Sequence, residues 1–121
     1  MKAKMQYEAT IPVLTVYLRN LLRLVEKARR HPKAKGLLHA RLVPDQYDFL
    51  QQVQYAYFLA LEAGKQLTKK AGPVFSYDEQ SFAELTRSVQ RTVRYLNTLR
   101  PKDFRGGRRR VAVFYDLKKK L

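Results

Sequence analysis

Two histidines, His31 and His39, and no cysteine are available for metal or nucleophilic chemistry. A stable transition-metal site uses three or four ligands, so these histidines would need help from carboxylates. No His-x-x-x-His or Glu-x-x-His pattern sets such ligands on one helix face, and no residue is assigned to a metal. Asp45 and Asp48 sit close together ahead of an apolar run. Acid–base work needs a carboxylate held in a pocket with a shifted pKa. The start of a helix accounts for both aspartates without any chemistry. Gly106-Gly107 lacks the lysine–serine pair and the strand–turn–helix setting of a phosphate loop. No nucleophile elbow surrounds a serine or threonine. The sequence therefore assigns no catalytic residue and no cofactor.

Binding signals are stronger. Tyr47, Tyr55 and Tyr57, with Phe58, have the ring faces on which bases stack. At helical spacing they read more simply as core and interface residues, and Tyr55 falls off the main core stripe. The net charge is +15, from 25 Lys and Arg against 10 Asp and Glu, which draws nucleic acid and other anions. Arg87, Arg91 and Arg94 recur on one helix face, and Arg105, Arg108, Arg109 and Arg110 form a basic turn, making these seven the candidate phosphate contacts. A single Arg-Gly-Gly element is not an RNA-binding repeat. Non-specific attraction to nucleic acid is the expectation.

Three amphipathic helices must position these groups. The first is expected from an N-cap at Thr10, through Pro12 in the first turn, to His31 before Pro32. Its seam is Leu14, Leu18, Leu21, Val25 and Ala28, with Arg19, Arg23, Lys27 and Arg30 on the far side. A linker over 33–43 leads to a second helix opened by Pro44 and Asp45 and ended by Gly72-Pro73. Leu50, Val53, Tyr57, Leu61 and Gly64 share one face there, and Phe49, Ala56, Leu59, Ala60 and Ala63 carry the apolar surface further round. Such a helix packs against more than one neighbour. Ser81 with Glu84 matches a capping box for the third helix. Its core stripe is Phe82, Leu85, Val89, Val93 and Leu96, and Pro101 closes it. Val111-Ala-Val-Phe-Tyr115 is a short β-prone run that needs a pairing partner.

A chain of 121 residues is one domain, and a hydrophobic fraction of 45% is enough for a core and argues against global disorder. No signal peptide or membrane span is visible. The missing cysteines fit a reducing compartment, so a cytoplasmic location is expected. The fold class expected is all-α: an antiparallel up-down bundle of three long helices with a short C-terminal β segment.

Several segments carry a family resemblance. Tyr7-Glu-Ala-Thr-Ile-Pro-Val-Leu14, Leu38-His-Ala-Arg-Leu-Val-Pro-Asp45, Gln51-Gln-Val-Gln54, Ser81-Phe-Ala-Glu-Leu85 and Tyr95-Leu96 resemble a domain-of-unknown-function branch of the DinB/YfiT-like superfamily. The resemblance runs from about Tyr7 to Tyr115. It implies a four-helix bundle, often dimeric, in which many members hold a divalent metal on three histidines and some are thiol-dependent transferases. It also implies a longer chain, continuing through a short strand region into a fourth, histidine-bearing helix. With only His31 and His39 here, neither matching a triad position, the metal site is not carried over.

The functional expectation is a domain, 1–121, that is C-terminally incomplete relative to that family. It would be non-catalytic as it stands and would act through a homodimer or another partner. Tyr55, Leu59, Val111, Val113 and Tyr115 are the candidate interface residues. The alternatives are a metal-dependent transferase completed by a fourth helix, and a basic nucleic-acid-binding accessory protein.

Overall fold

The computed structural model describes residues 2–41 and 43–104. Within them are four helices: α1 (Lys2–Arg30), α2 (Ala34–Leu37), α3 (Phe49–Thr68) and α4 (Phe82–Asn97), with a 3₁₀ turn at Pro101–Asp103. The all-α class is correct. The β-prone run with Val111, Val113 and Tyr115 lies outside the described residues, as do Arg105, Arg108, Arg109 and Arg110.

The first helix begins earlier than its proline suggests. Thr10 is not a cap: it lies inside α1, and its hydroxyl donates to the Gln6 carbonyl at 2.6 Å. Pro12 also sits inside the helix, where it has no N–H for the carbonyl one turn back. Helical residues on both sides override that loss because the core stripe runs straight through it. Ile11, Leu18 and Val25 are fully buried, with Leu14, Leu21 and Leu22 packed beside them.

The second long helix starts four residues later than Pro44-Asp45 predicts. Asp48 is its N-cap, accepting from the Gln51 amide at 2.8 Å while Gln51 Oε1 accepts from the Asp48 amide at 3.1 Å. This reciprocal box satisfies two amides that the helix leaves open. The helix ends at Thr68, ahead of Gly72-Pro73, because Lys69 turns into the left-handed region with φ 62°. At α4 the cap residue is as expected: Ser81 Oγ accepts from the Glu84 amide at 3.1 Å. The box is only half formed, since the Glu84 carboxylate accepts from the Ser81 hydroxyl rather than from its amide. The helix stops at Asn97, and Pro101 opens the 3₁₀ turn instead.

Helix direction departs from simple up–down alternation. The ring of Phe49, at the start of α3, lies 6.0 Å from that of Phe82, at the start of α4. Near the other end, Gly64 of α3 faces Tyr95 and Leu96 of α4 and Leu99 just beyond it. Helices α3 and α4 therefore run parallel. Helix α1 opposes them, since Tyr7 meets Phe104 beyond the end of α4, whereas Leu22 to Pro32 share a cavity with Thr86 and Gln90 near its start. Parallel neighbours need a crossover that travels back along the bundle. Residues 69–81 make it: an irregular strap that can reach about 40 Å when extended, against about 30 Å for twenty helical residues.

Two glycines make close approaches possible. A Cβ on Gly72 of the strap would meet the Tyr95 ring at 2.9 Å, and the Tyr95 hydroxyl donates to the neighbouring Lys70 carbonyl at 2.7 Å. A Cβ on Gly64 would meet Leu96 Cδ2 and Tyr95 Cε2 at 3.0 Å and Leu99 Cδ1 at 3.1 Å. All three of those neighbours are buried, so none can yield freely. The better helix propensity of alanine, about 1 kcal/mol, offsets only part of the overpacking. Gly64→Ala is expected to destabilise the fold by about 1 kcal/mol net, read as a lower denaturation midpoint. An unchanged or higher midpoint would show that α3 and α4 can separate without penalty.

Candidate functional site

Along α3 and the turn before it, Tyr47, Gln51, Gln54, Tyr55 and Phe58 fall at three- and four-residue intervals and so line one side. The strap adds Tyr77, and the six residues enclose a groove of about 540 Å³. The Tyr47 and Tyr55 rings lie 4.8 Å apart, tilted by 38°, with their hydroxyls hydrogen-bonded at 3.0 Å. That bond holds the Tyr47 phenol above its ordinary pKa and therefore neutral. Gln51 supports the groove from the α3 cap, which fixes its side chain.

Behind the groove lies a buried carboxylate. In the irregular strap, Phe75, Tyr77 and Glu79 all pack toward α3, each reaching Tyr57. Glu79 is 5% exposed. It accepts a short hydrogen bond from the Tyr57 hydroxyl and another from Gln54 Nε2 at 2.9 Å; the same nitrogen donates to the Tyr77 carbonyl at 3.0 Å. Burial pushes the Glu79 carboxyl up, but hydrogen bonds from Tyr57, Gln54, its own backbone and Ser88 outweigh it. The group titrates below the usual carboxylate value. Burial, then the Glu79 carboxylate, drives the Tyr57 phenol strongly upward. Among the described residues no Lys, Arg or His pairs with Glu79.

The rings fix the wall of the groove. Tyr77 adopts φ 56°, an unusual left-handed conformation for a bulky residue. That turn stacks it on Tyr57, with centroids 5.3 Å apart and planes 9° apart, and sets its ring edge-to-face with Phe58 at 5.8 Å. Phe75 meets Tyr57 at 5.0 Å and carries the Arg91 guanidinium 4.9 Å above its outer face. Burial, followed by the negative fields of Glu62 and Glu79, raises the Tyr77 pKa.

The other sequence candidates are scattered. Tyr57 is core, whereas Tyr47, Tyr55 and Phe58 belong to the groove. Leu59 is half-buried and packed against the core. His31 Nδ1 accepts from the Lys33 amide at 3.0 Å, and His39 Nδ1 lies 3.3 Å from the capping carboxylate of Asp48. Asp45 is exposed in the preceding turn. Among the described residues no three His, Asp or Glu side chains converge on one point. Arg87, Arg91 and Arg94 are all exposed, and Arg87 and Arg91 share a cavity with Asp78, Glu79 and Glu84, which offset part of their charge.

The exposed apolar surface is not where the sequence pointed. On α3 only Gln52 is exposed, because the strap and α4 cover its wide apolar face. The outer side of α1 instead presents Met5 (68% exposed), Val13 (60%), Val16 (56%), Tyr17 (55%) and Leu24 (52%). At about 100° per residue Met5, Val13 and Val16 lie opposite Leu18, with Tyr17 and Leu24 on one flank of them.

A family model for a domain of unknown function, DUF1993, matches residues 6–120. The chain belongs to the DUF1993 family. Searches of curated proteins and of solved structures each found no match. This DUF1993 chain thus carries two surface features of functional interest, the tyrosine groove and the outer stripe of α1. Among its described residues no helix is long and apolar enough to cross a membrane.

Proposed function

We propose that this DUF1993 domain is a non-catalytic, DinB-like helical bundle of the cytoplasm that works as a two-fold dimer built on the outer face of α1. The exposed stripe of Met5, Val13, Val16, Tyr17 and Leu24 is the observation that carries this reading. Five large apolar side chains exposed on one helix are more than isolated surface residues would require, with Asn20 and Arg23 set among them.

The spacing favours a second copy as the occupant. If two α1 helices pair antiparallel with Met5 opposite Leu24 of the partner subunit, then Val13 falls opposite Val16 of the partner subunit, and Pro12 opposite Tyr17 of the partner subunit. The stripe is therefore self-complementary, as a two-fold interface must be. The same register sets the exposed carboxylate Glu8 level with Leu21 of the partner subunit, between the two exposed cations Arg19 and Arg23. Opposite charges then meet along the flank despite the high net charge. A nucleic-acid role is the weaker reading, because Asp78, Glu79 and Glu84 stand beside Arg87 and Arg91 and offset part of their charge.

Light scattering on the purified chain in moderate salt tests the proposal. A discrete species of twice the 14.2 kDa chain mass is expected. A single-chain mass at every concentration would overturn it.

A further inference from the structure

We propose that the tyrosine groove binds a small quaternary or methylated ammonium compound between its aromatic rings, in front of Glu79. Four rings line it, from Tyr47, Tyr55, Phe58 and Tyr77, and the other two lining residues are the neutral amides Gln51 and Gln54. Among the described residues no basic side chain lines it. Ring faces attract cations through their quadrupoles, and several rings around one ammonium group add their attractions.

The buried carboxylate makes the site selective for charge. Glu79 lies one hydrogen bond behind the wall, through Gln54 Nε2; it forms no ion pair among the described residues, while Arg87 and Arg91 line the cavity on its other side. A methylated ammonium group takes up negative potential without needing hydrogen bonds. It therefore suits a wall in which the Gln54 amide and the Tyr57 hydroxyl already engage the carboxylate. The Tyr47–Tyr55 hydroxyl pair shares one proton in its mutual bond, leaving the other to donate to a ligand oxygen. A groove of about 540 Å³ is of small-molecule size and leaves room for a body attached to the cation. The net charge of +15 opposes any cation at long range. About 0.1 M salt screens that field beyond roughly 10 Å and leaves the short-range contacts largely intact.

Choline and its neutral isostere 3,3-dimethyl-1-butanol separate charge recognition from greasy contact. Titrated into the full chain at that ionic strength and followed by calorimetry or NMR shifts, choline is expected to bind at least about tenfold tighter than the neutral alcohol. Glu79→Gln should weaken choline several-fold and leave the alcohol unchanged. Tyr55→Leu, a change at a half-buried residue of the groove outside the core, should abolish the preference with the fold intact by melting, and it carries the test if the Glu79 variant does not fold. Equal affinity for the two compounds, no choline binding, or a preference that survives Tyr55→Leu would overturn the proposal.

Discussion

Val16→Asp is expected to turn the dimer into a monomer. In the antiparallel register each interface contains the substitution twice, so two carboxylates would face Val13 side chains across the two-fold axis. Two carboxylates would be set into an apolar contact, and two apolar contacts would be lost. Together these should raise the dissociation constant by at least about a hundredfold, or roughly 3 kcal/mol. Val16 is more than half exposed in the isolated chain, so the monomer's own stability should shift by no more than about 0.5 kcal/mol. Leu24→Asp should act alike, through Met5 of the partner subunit. Sedimentation equilibrium measures association and thermal unfolding measures the fold. Unchanged association in Val16→Asp would remove α1 from the interface.

The second large effect concerns the carboxylate under the groove. Tyr57→Phe keeps the buried ring and its stacking but deletes the donor to Glu79. A hydrogen bond to a charged group contributes about 1.5–3 kcal/mol, and a buried acceptor left short of donors loses most of it. A loss of about 2 kcal/mol at neutral pH is expected from denaturant unfolding. Its pH dependence has a definite sign. The folded pKa of Glu79 is depressed, so its ionised form stabilises the protein above the unfolded carboxylate value. That contribution falls away as pH drops through the folded value. Without the Tyr57 hydroxyl, burial draws the Glu79 pKa back up. The stability gap between the two proteins should therefore narrow steadily below about pH 4.5. A gap that is constant across the acid range would mean that the hydroxyl matters for packing alone.

Much of the helical framework was legible because its signals are local. Leu18 and Val25 of α1, the Leu85–Val89–Val93–Leu96 stripe and the Ser81 cap lie where periodicity and capping chemistry place them. The start of α3 was equally local, since Asp48 and Gln51 already stand in box spacing, but Pro44 is the louder signal. At Pro12 the reverse happens: a proline that normally opens a helix lies inside one, because the stripe on either side buries more than one hydrogen bond is worth. Half of α1 was hidden for a simple reason. A single seam explains the alternation of threes and fours, and the second stripe, from Met5 to Leu24, shows only once the opposite side is known to be buried.

The candidate site was less legible. Tyr47, Tyr55 and Phe58 were noticed as ring faces, whereas Tyr77 and Glu79 carry no motif beyond the alternation of Phe75, Tyr77 and Glu79. What unites them is the parallel direction of α3 and α4, and no short-range pattern encodes that direction.

That direction also sets an order of events in folding. Helices α3 and α4 can each form from neighbouring residues, but the bonds from Tyr57 and Gln54 to Glu79 span 22 and 25 positions of chain. Closing so long a loop costs entropy before any contact rewards it. The strap has no regular structure of its own and packs on both helices, through Phe75 against Tyr57 and under Arg91. It should therefore settle only after they have met, late on the pathway and beyond the transition state. Interactions formed that late act on the escape rate from the native state rather than on the rate of reaching it. The penalty for losing the Tyr57 hydroxyl would then appear as faster unfolding, and Glu79 would serve as a latch on the finished protein.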